Sequence, residues 1–398
     1  MKLKIETRNA IYIGGTCAFA YLAVYIMRNI LSAVSPQMLE QNVLTEGALG
    51  TLSSAFFIVY AVGQLINGFI GDRIKAHYMV CGGLVFAAVA GVFFAIFPES
   101  VPTATFTYGL SGFFLSMVFG PMTKIVAENV SLLYVERCSA CHAFTSLFGS
   151  PAAGLIAMVL PWRASLYVTA FVLLAVGVIC FVFFSLFEKR GIIAYNRYTP
   201  TEKQGGGIGI LFRHQIIKFT VVSILTGVVR TAVVFWLPTY LSQYLGFSAE
   251  ISALLFTVTT LLISASSFLT VIVYERLGRN RDCTLLLSFA ASAICFILLY
   301  FVKQPVLNIT LITLAILFAN CAASVLWTIY CPGLRETGLV SGATGFLDFV
   351  SYMAASVAST LFANAVSDIG WNGLILVWFA LMALGLVISL PIKRKAKA

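Results

Sequence analysis

The chain has 398 residues, of which 60% are hydrophobic and only 10% are charged. So apolar a composition excludes a soluble globular domain and places the chain in a lipid bilayer. The formal net charge of +10 does not indicate a nucleic-acid partner, because the basic residues cluster between the apolar runs, as they do in loops that face anionic lipid.

Twelve apolar runs follow one another along the chain, and each has about 20 residues, which is enough for a helix to cross a bilayer. They cover residues 11–36, 47–70, 78–97, 103–127, 139–160, 164–187, 215–241, 251–274, 283–301, 306–330, 339–366 and 371–391. The sequence therefore predicts an all-α membrane protein with twelve transmembrane helices.

Lysine and arginine predict the orientation of these helices. If the N-terminus lies inside, 20 of the 25 basic residues fall in inner segments, and only Arg163 and Lys303 fall in outer loops. An excess of this kind marks the cytoplasmic side. We therefore expect a multi-pass protein of the inner or plasma membrane with both termini in the cytoplasm. The remaining basic residues, Arg28, Lys124 and Arg230, lie within apolar runs.

The two halves of the chain repeat a pattern of charge, proline and spacing. Four residues of the first half recur 202 positions later: Arg28, Pro36, Leu39 and Gln41 match Arg230, Pro238, Leu241 and Gln243. A long polar segment, residues 188–214, separates the halves. Parallel repeats of six helices predict an N-terminal bundle over residues 1–187, a cytoplasmic linker over 188–214 and a C-terminal bundle over 215–398.

An arginine inside the membrane is costly, by about 2.5–3.5 kcal/mol on insertion scales. Two arginines at matching positions predict an anion site, because a guanidinium presents paired donors to phosphate oxygens and stays charged at any relevant pH. An entering dianion would also cancel the repulsion between two cations. Arg28 and Arg230 are therefore the principal candidates for substrate binding.

Polar residues share one face on each of the first two helices. The first stripe comprises Tyr21, Tyr25, Arg28, Ser32 and Ser35, and the second comprises Ser53, Phe57, Tyr60, Gln64 and Asn67. Because polar groups that face lipid would lack hydrogen-bond partners, both stripes are expected to face water or protein. A packing seam between helices is the alternative, but the charge of Arg28 favours a water-filled cavity.

The segment from Gly68 to Arg73 resembles the signature loop between helices two and three of the major facilitator superfamily. The resemblance implies the fold of that superfamily, with two six-helix bundles. It also implies a gating loop, formed by Asp72 and Arg73 and by their counterparts Glu275 and Arg276, in which charge pairing and helix dipoles act at the cytoplasmic gate.

A closer resemblance is carried by the segment from Tyr25 to Arg28, and by Arg230 together with the run from Phe235 to Leu241. These segments resemble the first and seventh helices of the organophosphate:phosphate antiporters, which carry glycerol 3-phosphate and hexose phosphates. The resemblance implies alternating-access transport of a phosphate ester in exchange for inorganic phosphate, with the two arginines binding the phosphate.

The same resemblance assigns further residues to the substrate site. Tyr60 and Tyr352 match aromatic positions near the substrate, and Tyr25 belongs to the motif itself. Lys124 falls where the family has an arginine, with snorkelling of a lysine to the membrane interface as the alternative. The chain departs from the family at Gln64 and Ser146, where a lysine and a histidine are frequent, so we expect neutral side chains at these positions of the site.

Asp348 is a carboxylate in the middle of the eleventh predicted helix, and the family pattern lacks it. We expect it to compensate the charge of Arg28, Arg230 or Lys124. The alternatives are coupling to a transported proton, a contact with a cationic group of the substrate, and a structural hydrogen bond.

Two other functions stay open. One is proton-coupled symport of an organic carboxylate such as a sugar acid, against which the second arginine argues. The other is a membrane sensor that binds a sugar phosphate without bulk transport. We expect no enzyme, since no nucleophile, base and acid occur together, and a monomer whose partners are a small anion and the bilayer.

No cofactor and no metal are expected. The segment from Cys138 to His142 formally matches a haem-attachment motif, but it is predicted on the cytoplasmic side, where such attachment is not expected, and a lone CxxC lacks the other two ligands of a zinc site.

Overall fold

The computed structural model describes residues 5–195, 209–247 and 249–390 of the chain. The chain forms two compact units. The first unit comprises Met1–His214 together with Cys331–Phe349, and the second comprises Gln215–Tyr330 together with Val350–Ala398. The predicted division at residues 187 and 214 stays a prediction, and residues 196–208 of the predicted linker lie outside the described part.

Six long helices form most of the first unit: α1 Ile5–Glu40, α2 Glu46–Gly71, α3 Ala76–Ile96, α4 Val101–Asn129, α5 Leu132–Val159 and α6 Trp162–Lys189. Thr45 caps α2, because its hydroxyl accepts a hydrogen bond from the backbone N–H of Ala48, and such caps satisfy the unpaired donors of a helix start. Helix α1 packs on α5, α2 packs on α4, and α3 lies between α4 and α6. The short helix α7, Gly209–Arg213, follows in the same unit.

The second unit begins with a helix that changes its hydrogen-bond pattern. Helix α8 spans Ile216–Gly227, a π-helical turn follows over Val228–Val233, and α9 spans Val234–Gln243. We call Val228–Val233 the first π turn. Three further helices follow: α10 Ala249–Ser264, α11 Ser266–Arg276 and α12 Arg281–Phe301.

A second irregular helix follows in this unit. Helix α13 spans Pro305–Ser324 and continues into a π-helical turn over Val325–Tyr330, which we call the second π turn. The short α14, Cys331–Gly333, and a 3₁₀ turn at Arg335–Thr337 lead to α15, Val340–Ser389. Helix α15 begins in the first unit and continues in the second. Gly370 interrupts it with φ 65° and ψ 178°, a conformation that only glycine adopts readily.

Nine stretches within the described residues are long and apolar enough to cross a membrane. The other three predicted spans, residues 139–160, 215–241 and 339–366, correspond to α5, to α8 through α9, and to the first part of α15. Large apolar side chains cover the outside, for example Phe106, which is 69% exposed, and Phe301, which is 71% exposed. Such surface is stable only against lipid tails.

Candidate anion-binding site

The guanidinium group of Arg28 lies among three aromatic rings in the first unit. Its Cζ atom is 5.4 Å from the ring centre of Tyr25, 5.0 Å from that of Phe57 and 5.3 Å from that of Tyr60. Tyr25 is on the same helix as Arg28, and the other two rings come from α2. The fold thus brings together residues of both predicted polar stripes. A ring over the guanidinium face stabilises the charge and leaves the in-plane N–H groups directed elsewhere.

Two hydrogen bonds fix the surroundings of Arg28, one at the Tyr60 hydroxyl and one at the Arg28 backbone. Gln64, which is buried, donates its amide Nε2 hydrogen to the hydroxyl of Tyr60 over 2.8 Å. The hydroxyl of Tyr108 donates to the backbone carbonyl of Arg28 over 3.3 Å. Tyr108 lies on α4 and was not predicted for the site, because its mixed surroundings of threonines and apolar residues give no sign of a contact with Arg28.

Arg230 has a different setting in the second unit, because it lies in the first π turn. Its Cζ atom is 5.8 Å from the ring of Trp327 and 5.9 Å from the ring of Tyr352. Trp327 belongs to the second π turn, and Tyr352 lies on α15. Tyr352 was predicted and Trp327 was not. The apolar run around Trp327 looks like an ordinary membrane helix, so its place beside Arg230 emerges only from the fold.

Glycines allow close helix contacts beside both arginines. In the first unit, a side chain on Gly149 of α5 would overlap Tyr25 Cβ and lie 2.9 Å from Tyr25 C. In the second unit, a side chain on Gly227 would overlap Ser351 Oγ and lie 2.8 Å from Ser351 O. Gly227 lies 202 positions after Tyr25, and Ser351 lies 202 positions after Gly149. The two contacts are therefore equivalent in the repeat, but the glycine is on the arginine helix in the second unit and on its partner helix in the first.

Lys124 is buried within the first unit at the end of α2. Its Nζ atom donates to the carbonyl of Asp72 over 2.9 Å and to that of Gly71 over 3.4 Å. Glu128, one turn further along α4, is 4.0 Å from the same nitrogen. Only 1% of the Lys124 side chain is exposed. The lysine therefore neutralises the carbonyl end of α2, which carries partial negative charge.

Asp72 links the end of α2 to the start of α15 inside the first unit. Its carboxylate oxygens accept hydrogen bonds from the backbone N–H groups of Ser341 over 2.9 Å and Gly342 over 2.7 Å. A side chain on Gly342 would lie 2.6 Å from Asp72 Oδ2, so this contact requires glycine. Burial raises the pKa of Asp72 to about 7, while the charge of Lys124 and the two backbone donors oppose that rise.

The other predicted gating residues lie nearer the surface. Arg73 is exposed after the end of α2, and at the end of α11 Glu275 is half-buried and Arg276 is exposed. Asp348 is buried on α15, within the first unit, at 5% exposure. Ser146 lies on α5, but its side chain is outside the described part of the structure.

The segment with the haem-like spacing packs against α1. Cys138 Sγ donates to the carbonyl of Ala10 over 3.6 Å, and His142 Nε2 lies 3.3 Å from the carbonyl oxygen of Gly14. Both side chains are buried. Within the described residues, no group of three or more histidine, cysteine, aspartate or glutamate side chains is arranged to hold a metal ion.

The described residues form an all-helical architecture with nine membrane-length apolar stretches, which is that of a multi-pass membrane protein. The profile of the Major Facilitator Superfamily matches residues 17–356, and the chain belongs to this family. The family assignment confirms the predicted fold class and the prediction of a multi-pass membrane transporter rather than an enzyme.

Known proteins resemble the chain over nearly its whole length. The glycerol-3-phosphate transporter of Bacillus subtilis (strain 168) is 22% identical over 402 residues, which cover 94% of this chain and 88% of that protein. The membrane sensor protein UhpC of Escherichia coli (strain K12) is 22% identical over 415 residues, which cover 94% of this chain and 90% of that protein. These relatives agree with the predicted resemblance to the organophosphate:phosphate antiporters.

A solved structure shares the fold. The crystal structure of the Major Facilitator Superfamily transporter FucP in the outward conformation matches with a TM-score of 0.78 and 14% sequence identity, covering 96% of this chain and 98% of that chain. At this identity the likeness shows the fold alone.

Proposed function

We propose that this chain is a secondary active transporter of a small organic anion, namely a phosphate ester of the sugar phosphate or glycerol phosphate type, by alternating access. Inorganic phosphate is the proposed exchange substrate. The observation that carries the proposal is the pair Arg28 and Arg230, one in each unit, each placed against aromatic rings inside the membrane. The name of the Bacillus subtilis relative, a glycerol-3-phosphate transporter, supports the same substrate class.

The chemistry of the two arginines favours a phosphate ester. A guanidinium binds two phosphate oxygens at once through its planar donors, and it stays ionised when partly buried. One arginine suffices to balance a carboxylate, whereas two balance a dianion. A ligand whose affinity differs between two conformations shifts their populations, and this is the coupling that alternating access requires.

The remaining site residues have distinct proposed roles. Tyr25, Tyr60, Gln64, Ser146 and Tyr352 line or orient the substrate in this proposal. The bonds of Lys124 to the carbonyls of Gly71 and Asp72 support a role at the gating loop instead of a contact with the substrate. Asp72 holds the start of α15, and Arg73, Glu275 and Arg276 complete the gating loop.

Asp348 is proposed to compensate positive charge within the membrane, since a buried carboxylate is costly without a balancing cation. Uptake by Asp348→Asn, measured against pH, tests this role. We expect reduced uptake. Uptake and pH dependence equal to those of the wild type would exclude both charge compensation and proton coupling.

The proposed setting is the inner or plasma membrane, with a functional monomer and both termini in the cytoplasm. The excess of lysine and arginine in the predicted inner segments supports this orientation, since positive loops stay on the cytoplasmic side. Reaction of single introduced cysteines at positions 2 and 397 with an impermeant thiol reagent in intact cells tests it. Labelling from outside would contradict the orientation.

A thermal-shift screen of the purified protein tests the substrate class. The probes are glycerol 3-phosphate, glucose 6-phosphate, inorganic phosphate and glucuronate, since a ligand that binds the folded state protects it by mass action. We expect protection by the phosphates. Protection by glucuronate alone would favour the carboxylate symporter and overturn the phosphate assignment.

Lysine variants test the arginines themselves. Arg28→Lys and Arg230→Lys retain the charge but lose the paired donors, so we expect affinity to fall roughly 10- to 100-fold. Arg163→Lys is the matched control, because Arg163 is exposed and bonds to Glu99 on the surface. Equal protection of all three variants would contradict the assigned role.

A sensor is the second candidate, because one relative of nearly full length is the membrane sensor protein UhpC. Counterflow in proteoliposomes separates the two functions. If the protein is a transporter, proteoliposomes preloaded with unlabelled glycerol 3-phosphate transiently accumulate the labelled compound from outside. A sensor would be stabilised by the phosphate ester in the thermal screen but would show no counterflow.

A further inference from the structure

The second π turn, Val325–Tyr330, has one side chain that is less buried than the others. Val325, Leu326, Thr328, Ile329 and Tyr330 are all buried, whereas Trp327 is half-buried. A π turn is rare and occurs frequently at functional sites. Trp327 is therefore the one residue of this turn whose side chain is partly accessible.

Trp327 faces Arg230, which also belongs to a π turn. The separation of 5.8 Å between Arg230 Cζ and the ring centre of Trp327 lies at the outer edge of cation–π range. The face of an aromatic ring at this distance attracts the positive charge of the guanidinium. It does not compete for the N–H groups, which lie in the guanidinium plane and are the ones that bind an anion.

Tyr352 also contacts the guanidinium of Arg230. The close contact at Gly227 brings the Tyr352 ring within reach of that guanidinium. Gly227 directly precedes the first π turn, and its lack of a side chain lets the backbone at Ser351 approach closely. The ring of Tyr352, the next residue, is then 5.9 Å from Arg230 Cζ. Arg230 is thus supported from two helices other than its own.

Trp327 is not a copy of a feature in the first half. The residue 202 positions before it is Ile125, which is fully buried. The rings around Arg28 come from α1 and α2 instead. Gly227 also takes the place of Tyr25, so helix α8 offers no ring of its own at the equivalent position. A ring delivered by the second π turn fills that role for Arg230.

We propose that Trp327 is a positioning residue for substrate binding: the face of its indole, delivered by the second π turn, holds the guanidinium of Arg230 in the orientation that binds the anion. This inference rests on the proposed function. Any flat aromatic side chain at position 327 would provide the support, whereas an aliphatic side chain of similar bulk would not.

Three variants of the full-length protein test the inference by isothermal titration with glycerol 3-phosphate and with inorganic phosphate. We expect Trp327→Leu to weaken binding roughly 2- to 30-fold, the range that one cation–π contact supplies. Trp327→Phe keeps a ring face and should restore most of the affinity. Trp378→Phe is the control, because Trp378 is fully buried among Tyr240, Phe296 and Phe362.

Tryptophan fluorescence provides a second readout that a purely structural role would not change. The chain has five tryptophans, and anion binding at Arg230 should alter the emission of Trp327. We expect this change to disappear in Trp327→Phe and to persist in Trp378→Phe.

Each outcome bears on a different claim. If the wild type binds neither probe, the proposed function fails and the inference with it. If the wild type binds but Trp327→Leu binds equally well, or if phenylalanine does not restore the affinity lost with leucine, the inference alone is wrong.

Discussion

The two membrane arginines match in sequence but differ in how the protein supports them. Arg28 lies on α1, which is helical without interruption from Ile5 to Glu40, and three rings from α1 and α2 surround its guanidinium. Arg230 lies in a π turn, and its two rings come from the second π turn and from α15. The repeat therefore preserves the charge and its position along the chain while the surroundings have changed.

The exchanged glycines show how such a change arises. In the first unit the helix that carries the arginine supplies a tyrosine, Tyr25, and its partner helix supplies Gly149. In the second unit the arginine helix supplies Gly227 and the partner supplies Ser351, followed by the ring of Tyr352. Close packing requires one small residue at each contact, but either partner can provide it. The ring then comes from the side that is not glycine.

Gly149→Ala should produce the largest loss of stability. The new methyl group would overlap Tyr25 Cβ and lie 2.9 Å from Tyr25 C and 3.1 Å from Ile26 N, and backbone atoms cannot rotate away. Overpacking of this kind costs about 1–3 kcal/mol. The melting temperature of the ligand-free protein measures it. Gly154→Ala on the same helix is the control, because nothing lies within 4 Å of its new methyl group. Equal effects of the two changes would contradict the tight contact.

Gly227→Ala should have a somewhat smaller effect, and a second change should partly reverse it. The methyl group would overlap Ser351 Oγ, a side-chain atom, although Ser351 O and Cα are also within 2.8 and 3.0 Å. We expect a loss of about 1–2 kcal/mol. Adding Ser351→Gly reproduces the arrangement of the first unit and should recover part of the loss. A double variant no more stable than Gly227→Ala would break the equivalence of the two contacts.

Tyr60→Phe should weaken the support of Arg28 while keeping the ring. The buried Gln64 would lose the acceptor for its Nε2 hydrogen, and an unpaired buried donor costs about 1–3 kcal/mol in stability. Here we expect the lower end, roughly 1 kcal/mol, since a neutral amide can reorient. Thermal unfolding checks this, with Tyr78→Phe at an exposed position as control. Anion affinity should change less than in Arg28→Lys.

The last effect concerns pH and lies outside both arginine environments. The pKa of Asp72 is raised by burial to about 7 in the folded protein, whereas an unfolded aspartate titrates near 4. Between these values the folded state binds more protons than the unfolded state, so stability falls as pH rises. We expect the melting temperature to fall by roughly 2 °C or more from pH 5.5 to 8.

Asp72→Asn removes the titrating group and should flatten this dependence. Asp72→Ala removes the acceptor for Ser341 and Gly342 as well, so it should be less stable than Asp72→Asn at every pH. A wild-type melting temperature that rises between pH 5.5 and 8 would contradict the raised pKa.

Particular residues show what could be predicted. The polar stripes grouped Tyr25 with Arg28 on α1 and Phe57 with Tyr60 on α2, because helical spacing sets which side chains share a face. The contact between the two groups emerges only from the fold. The segment ending in Asp72 was recognised, but its attachment to the start of α15 was not, since the bonded residues are 269 and 270 positions away. Trp327 was missed because it lies in a run that is typical of an ordinary membrane helix, and a π turn leaves no periodic signal.

The amino-acid sequence by itself determined the membrane class, the order of the helices and the two costly arginines, because the bilayer imposes length and polarity on every segment independently. The π turns, the rings that support each guanidinium and the capping of α15 were decided only by the tertiary structure. These features depend on contacts between residues far apart in the chain, such as Gly227 with Ser351. Hydrogen bonding and packing at such contacts are fixed only when the distant segments meet in the fold.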